Sequence, residues 1–392
     1  MKNTSPQIYL DYSATTPVDP RVVDAMMPYF TDSFGNASSI HSFGRKAKIP
    51  LEESREKIAG LIGAAPGEVF FTSGGTEADN HALFGAMHAA GRLHGKKHLA
   101  VSAIEHHAVL HAAENLKESG YDVSVLPVDS TGKVVPDSLA AFLTPNTSVV
   151  SVMHANNEIG TIQDIPDIAR IVHEHGALLH SDTVQSTGKI PVDVKKLSVD
   201  LLAISAHKFY GPKGIGAIYI RRGVEVDSLM FGGAQERNRR AGTENVPLAV
   251  GFATALELSV SDLEKETRRL AELKRKFYRL LSDNFNTILF NGHPTDSLPH
   301  IVNISFDTSK VDVDGETLLL NMDLRGVAVT SGSACSSGSM EPSHVLQAIG
   351  RTTRTAKASI RFSMGKYTTE EEITKAATIL KEVVAQSSAV RA

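Results

Sequence analysis

The chain has a single cysteine, Cys335, set in SGSACSSGS (331–339). One cysteine cannot form an internal disulfide, which suits a reducing compartment. A lone cysteine is commonly a small buried apolar residue. This one lies among glycines and serines rather than in an apolar run, so its thiol reads as a nucleophile. A second reactive group follows the apolar run LLAIS (201–205): Lys208, beside His207, in SAHKFYGPKGIG (205–216). An amine at the base of a polar cleft is desolvated, its pKa falls, and it can form a Schiff base with a carbonyl. The plainer alternative is a solvated loop lysine. Asp182 closes the run ALLHSD (177–182). A carboxylate at the end of a buried strand needs a partner. Either a distant Arg or Lys, or the protonated pyridine nitrogen of a bound pyridoxal phosphate, meets that need.

SGGTEADN (73–80) follows the short run VFFT and opens an apolar-periodic helix. Glycines there let backbone N–H groups approach an anion, the helix dipole favours negative charge, and Thr76 adds a hydroxyl. An ordinary N-capped helix would read the same way. His106 titrates near neutrality and could stack on a ring or move protons, although with sixteen histidines in the chain a histidine near a strand end is weak evidence alone. No Cys/His spacing resembles a metal site. Arg361 sits inside the apolar run SIRFSM (359–364) with no carboxylate near it in sequence. Its natural mate is a bidentate carboxylate, and a substrate could supply one.

These residues need elements to bring them together. From about Phe70 to Ile220 short apolar runs alternate with helical stretches, the pattern of an α/β unit with a mostly parallel sheet. Four runs end in polar groups: HLAVSA before Glu105, His106 and His107; VVSVMH before Asn156, Asn157 and Glu158; ALLHSD at Asp182, before Gln185; and LLAIS before His207 and Lys208. Ligands in open α/β sheets bind outside the carboxyl ends of the strands, so the four tips describe one site. A long helix is expected over 246–281, bridging to a second unit with strands at 301–306 and 359–364 and helices at 314–323, 343–350 and 369–385. Thr369 is a candidate cap for the last of these. Another helix is expected over 50–61. The smaller α+β unit is expected to include the first dozen residues.

Length suggests two or three units of ~150 residues. A hydrophobic fraction of 42%, a charged fraction of 21% and a net charge of −4 fit a soluble protein. That balance speaks against general nucleic-acid or membrane-surface binding. There is no apolar run of ~18 residues and no secretory-type start, so the expected location is cytoplasmic.

Taken together, the segments YLDYSATTP (9–17), GNASSIHSFG (35–44), FTSGGTEADN (71–80), EHHAV (105–109), MHANNEIG (153–160), HSDTVQSTGK (180–189), SAHKFYGPKGIG (205–216), RRAGTENV (239–246), SGSACSSGSMEPSHVL (331–346) and SIRFSMG (359–365) resemble cysteine desulfurases of the NifS/IscS type. These are fold-type I pyridoxal-phosphate enzymes of the class-V aminotransferase family. The resemblance implies an α/β fold with a large cofactor-binding domain (15–260) on a mostly parallel seven-stranded sheet. It also implies a smaller α+β domain (1–14 and 261–392) carrying the cysteine loop. In the roles it implies, Lys208 is the Schiff-base lysine and His106 the ring-stacking proton carrier. Asp182 partners the pyridine nitrogen and Gln185 the phenolic oxygen. Gly75, Thr76, Ser205 and His207 hold the phosphate, joined by Thr243 from a second subunit, which implies a homodimer. Asn156 and Arg361 hold the substrate carboxylate, and Cys335 accepts the sulfur. Asn36-Ala37 departs from the family's usual Asn-Pro. The Cys335 context resembles the subclass with the longer cysteine loop.

The implied reaction takes sulfur from L-cysteine onto Cys335 as a persulfide, releases L-alanine, and passes the sulfur to an acceptor protein such as an iron–sulfur scaffold or a tRNA-thiolation relay. Rival readings are a selenocysteine lyase or an aminotransferase on the same fold, and a sulfur-relay scaffold without pyridoxal phosphate. Cys335 in its Gly/Ser segment weighs against an aminotransferase, and Lys208, Asp182 and Cys335 together weigh against a scaffold.

Overall fold

The computed structural model describes residues 7–332 and 341–389. Cys335 lies outside the described residues.

Seven strands form the main sheet, in the spatial order Val69–Thr72, Gly216–Ile220, Leu201–Ser205, Leu178–Asp182, Thr147–Ser151, His98–Ser102, Asp122–Leu126. Gly216–Ile220 runs against both its neighbours, and the other pairings among these strands are parallel. Side chains alternate between faces along each strand. Leu201 and Ala203 pack with Leu83 and Met87. Leu202 and Ile204 pack on the opposite face with Phe209 and Phe252. Burial on both faces explains why these strands read as continuous apolar runs rather than alternating ones. All the parallel strands point their carboxyl ends the same way, so the loops after Ser102, Ser151, Asp182 and Ser205 share one rim.

A second core forms around the antiparallel strands Ser359–Ser363, Ile301–Phe306 and Ile288–Asn291. Ile8–Tyr9 pairs with Val327–Ala328, and Asp11 bridges to Ser363. Ile8 and Leu10 thus pack with Phe277, Phe306 and Phe362. The stretch expected as one helix over 246–281 is two, Val246–Ser261 and Leu263–Asn284, bent by 68°. The physical reason is that the halves serve different cores. Phe252 and Leu256 pack beneath the large sheet, whereas Leu270, Leu273, Phe277 and Leu281 face the second core. The helix expected from Pro50 begins earlier, at Ser42, because His41 Nδ1 caps the Gly44 N–H at 3.2 Å. Thr369 caps the last helix as expected. Its Oγ1 accepts from Glu372 N at 3.2 Å, and the Glu372 carboxylate accepts from Thr369 N at 2.8 Å, a reciprocal capping box.

Candidate active site

The rim of the large sheet opens into a cavity of about 390 Å³. Gly75, Thr76, His106, Asp182, Gln185, Ser205, His207, Lys208 and Arg361 all line it. They come from segments hundreds of residues apart, brought together by strand direction.

Lys208 follows its strand through a single 3-10 turn, Ala206–Lys208. Its Nζ donates to the Ser13 carbonyl at 2.6 Å and the Ala14 carbonyl at 2.9 Å. Burial, with the nearby Arg361 charge, lowers its pKa to about 8. That leaves a useful neutral fraction of nucleophilic amine at neutral pH. Asp182 is 5% exposed. One carboxylate oxygen accepts from Val184 N at 2.8 Å. Burial raises its pKa to about 6, against the pull of that N–H and of Lys208. No protein cation makes an ion pair with Asp182 among the described residues. A buried carboxylate lining a cavity under those conditions fits a protonated ring nitrogen.

His106 begins the helix His107–Glu118, and its Nδ1 accepts from Ala108 N at 3.1 Å. That bond fixes the proton of the neutral ring on Nε2. Burial, Lys208 and the neighbouring histidines lower its pKa to about 4. Gln185 donates to the Ser13 carbonyl at 2.8 Å, the same acceptor Lys208 uses.

A second cleft adjoins the first and shares Gly75, Thr76, Ser205 and His207 with it, adding Ser73, Gly74 and Lys213. It lies at the start of the helix Gly75–His94, whose N-cap Gly74 has no side-chain cap. Free N–H groups at a helix start attract an anion. At Gly75 an added Cβ would lie 2.7 Å from Val184 Cγ2, so only glycine lets the loop approach this closely. Lys213 adds a positive charge that the sequence reading did not single out. The uncapped helix, the glycine cradle, Lys213, Lys208 and the buried Asp182 fit a phosphorylated pyridine aldehyde.

One expected contact of this chain's own cavity is placed elsewhere. Asn156 does not line the cavity. Its Nδ2 donates to the Ile104 carbonyl at 2.9 Å, and its Oδ1 accepts from Glu158 N and Ile159 N at 2.8 and 2.9 Å. Asn157 lines the cavity instead. A turn points consecutive side chains in different directions, and no periodicity reveals which one faces in. Thr243 is exposed and lies outside this chain's cavity. Arg361 lines the cavity but has a protein carboxylate as mate, Asp11, at 2.8 Å. It also donates to the Asn157 carbonyl at 2.8 Å, and its Nε is buried with no hydrogen-bond partner. Asp79 was missed as well. It lines the cavity, is 1% exposed and sits 3.4 Å from His180 Nε2. Burial beside Asp182 and Glu105 holds its carboxyl well above the usual range. The available signal was a carboxylate on the apolar helix face shared with Ala82, Leu83 and Ala86.

Residues 8–375 match the class-V aminotransferase family, and the chain belongs to it. Enzymes of this family work with pyridoxal phosphate, and the cavity's residues are suited to holding it. The chain is 47% identical over 378 residues to "Cysteine desulfurase IscS" of Dictyoglomus turgidum, covering 96% of this chain and 94% of that protein. It is 47% identical over 377 residues to the Methanosarcina thermophila protein of the same name, covering 96% and 92%. Among solved structures, one titled "NIFS-LIKE PROTEIN" superposes with a TM-score of 0.90 at 37% identity, covering 97% of this chain and 100% of that one.

Proposed function

We propose that the protein is a pyridoxal-phosphate-dependent cysteine desulfurase, converting L-cysteine to L-alanine and carrying the sulfur on Cys335 as a persulfide. The observation that carries this reading is that a half-buried Lys208 amine and a buried Asp182 carboxylate, not ion-paired with each other, line one cavity. Near-full-length similarity to relatives named cysteine desulfurase supports it. When bound, the cofactor supplies an electron sink for bonds at the amino-acid α-carbon.

In this reading Lys208 would be the residue that links to the cofactor, and its low-pKa amine would be the base placed to move the substrate α-proton. Asp182 would keep the ring nitrogen protonated, and Gln185 would steady the phenolic oxygen. Gly75, Thr76, Ser205 and His207 would hold the phosphate. His106 carries its proton on Nε2 for transfer at the thiol, since Nδ1 is engaged by Ala108 N. Arg361 receives the substrate carboxylate by sharing the guanidinium now held by Asp11 and the Asn157 carbonyl. Asn156 is reassigned from substrate contact to holding its turn. The Cys335 thiolate attacks the substrate sulfur, the carbon–sulfur bond breaks, and its electron pair is protonated to give alanine.

The same proposal includes a homodimer, with Thr243 reaching a second subunit's phosphate site. It includes a large unit (15–260) and a small unit (1–14 and 261–392), a cytoplasmic setting, and delivery of sulfur to an acceptor such as an iron–sulfur scaffold. No single helix among the described residues is long and apolar enough to cross a membrane. The direct test is to incubate the pyridoxal-phosphate-loaded protein with L-cysteine and a thiol reductant and to quantify alanine and sulfide. Equal amounts of both are expected. Pyruvate in place of alanine would point to a different lyase or transaminase chemistry.

A further inference from the structure

The segment carrying Cys335 enters and leaves the described structure at two stems, and both lie against one carboxylate. Glu158 is 3% exposed and has no ion-pair partner among the described residues. Its Oε2 accepts from Ser343 Oγ at 2.5 Å, on the far stem. Ser343 in turn caps the helix His344–Ala348, accepting from Leu346 N at 3.2 Å. On the near stem, Gly332 has φ +95° and lines the active cavity. A Cβ there would lie 3.0 Å from the same Oε2 and 3.1 to 3.2 Å from the Glu158 Cγ and Cδ. Gly332 is therefore glycine for two reasons: its left-handed backbone and the carboxylate pressed against it.

Glu158 is itself held rigidly. Asn156 Oδ1 accepts from its N–H at 2.8 Å, and its carbonyl accepts from Asn303 Nδ2 at 3.2 Å. On the same stem as Ser343, His344 Nε2 meets the Glu105 carbonyl at 2.9 Å and its ring lies tilted against His107, 4.8 Å between ring centroids. Burial pushes the Glu158 carboxyl up, against the pull of the Ser343 hydroxyl and of the Arg361 and His107 charges; a buried carboxyl with no ion pair is costly to keep charged, so its place between two stems calls for a function.

We propose that Glu158 is a positioning residue that fixes both ends of the Cys335-bearing segment at the mouth of the active cavity. Bringing the ends of a segment together costs chain entropy. A carboxylate bonded to one stem through Ser343 and packed against the other at Gly332, on a main chain held by Asn156 and Asn303, meets that cost in the fold rather than during each turnover. Asn156 acts through Glu158, which accounts for its engagement with the turn rather than with the cavity. The inference rests on the reading of Cys335 as the sulfur-accepting nucleophile.

The test uses the pyridoxal-phosphate-loaded full chain with Glu158→Ala and Glu158→Gln. Four quantities are measured: absorbance of the Lys208-linked cofactor, KM and kcat for cysteine, and the rate of Cys335 alkylation by iodoacetamide. As the only cysteine, Cys335 carries any label. Glu158→Ala should leave cofactor absorbance unchanged and KM within about twofold. It should lower kcat at least about tenfold, a barrier change of about 1.4 kcal/mol, and change the alkylation rate severalfold. Glu158→Gln, which keeps an acceptor for Ser343, should recover most of both. Three results would overturn the proposal: unchanged kcat in Glu158→Ala, loss of cofactor absorbance in step with activity, or a fall in kcat without any change in alkylation. If Cys335→Ala proved fully active, the underlying reading would fail instead, while the alkylation arm would still report on how Glu158 holds the segment.

Discussion

The Nζ of Lys208 donates to the carbonyl of Ser13 at 2.6 Å across 195 positions of sequence. The turn after the N-terminal strand Ile8–Tyr9 thereby holds the reactive amine at the cavity wall. Gln185 donates to the same carbonyl, so one backbone oxygen orients two side chains assigned to the cofactor. Lys208→Ala is expected to abolish the lysine-linked cofactor absorbance and all turnover. Borohydride reduction followed by peptide mapping checks this, and a reduced adduct on another lysine would show the assignment to be wrong.

The same lysine gives a pH dependence. Its pKa falls from an ordinary 10.5 to about 8 on burial, so the neutral amine grows as pH rises through about 8. Capture of pyridoxal phosphate by the cofactor-free chain should accelerate over that range. Stability follows with a defined sign. Below about pH 8 the buried charge destabilises the fold in full, and the penalty fades as pH climbs from there toward 10.5. Cofactor-free Lys208→Met should therefore melt above wild type at pH 7, with the gap narrowing by about pH 9.5. A gap independent of pH would show that the ammonium is not the cause.

Asp182→Asn should keep the fold, because the amide oxygen can still accept from Val184 N. It should lose kcat by at least about a hundredfold, a barrier rise of about 3 kcal/mol, since a neutral amide does not hold a ring nitrogen protonated. Steady-state kinetics with circular dichroism separates this from unfolding. Activity within about threefold of wild type would remove Asp182 from the proposed role.

Much of this arrangement was legible in the sequence because its signals are local. Each of the strands ending at Ser102, Ser151, Asp182 and Ser205 is an apolar run followed within three residues by a polar group, and strand direction gathers those tips on one rim. The groups that escaped notice depend on contacts with no local signature. Asp11 reaches Arg361 across 350 positions. Ser13 acts through its carbonyl, which every residue has. Asn156 and Asn157 are adjacent and alike, and only the turn geometry decides which faces the cavity. The break at Asp262 was hidden because both halves are strongly helical and only the presence of two cores forces the bend.

A buried ion pair provides a stability test away from the cavity. Arg55 pairs bidentately with Glu236 at 2.6 and 2.8 Å, and Glu236 also accepts from Phe71 N at 2.9 Å. The pair holds three consecutive non-glycine residues, Glu236, Arg237 and Asn238, at φ +45°, +55° and +63°. Glu236→Ala leaves the buried Arg55 guanidinium only the Val69 carbonyl and the more distant Glu52 carboxylate, so a loss of about 3 kcal/mol is expected. Urea unfolding monitored by circular dichroism measures it. A loss under about 1 kcal/mol would mean that Arg55 finds water or another acceptor.

Thr243 is exposed on the segment that follows this turn. If it completes a second subunit's phosphate site, Lys208→Ala and Thr243→Ala chains, each inactive or weak alone, should recover activity when refolded together. Mixed dimers would then contain one site free of both changes. Sedimentation should show a dimer. A monomer with full activity would contradict the composite site.

Cys335 as the sulfur acceptor is tested most directly by mass spectrometry of the intact chain after incubation with L-cysteine and no reductant. The chain has one cysteine, so a protein persulfide has one possible address. Wild type should carry a single added sulfur atom, removed by dithiothreitol and absent from both Cys335→Ala and Lys208→Ala. Alanine release by wild type with no added sulfur, or undiminished sulfide release by Cys335→Ala, would contradict that role of Cys335.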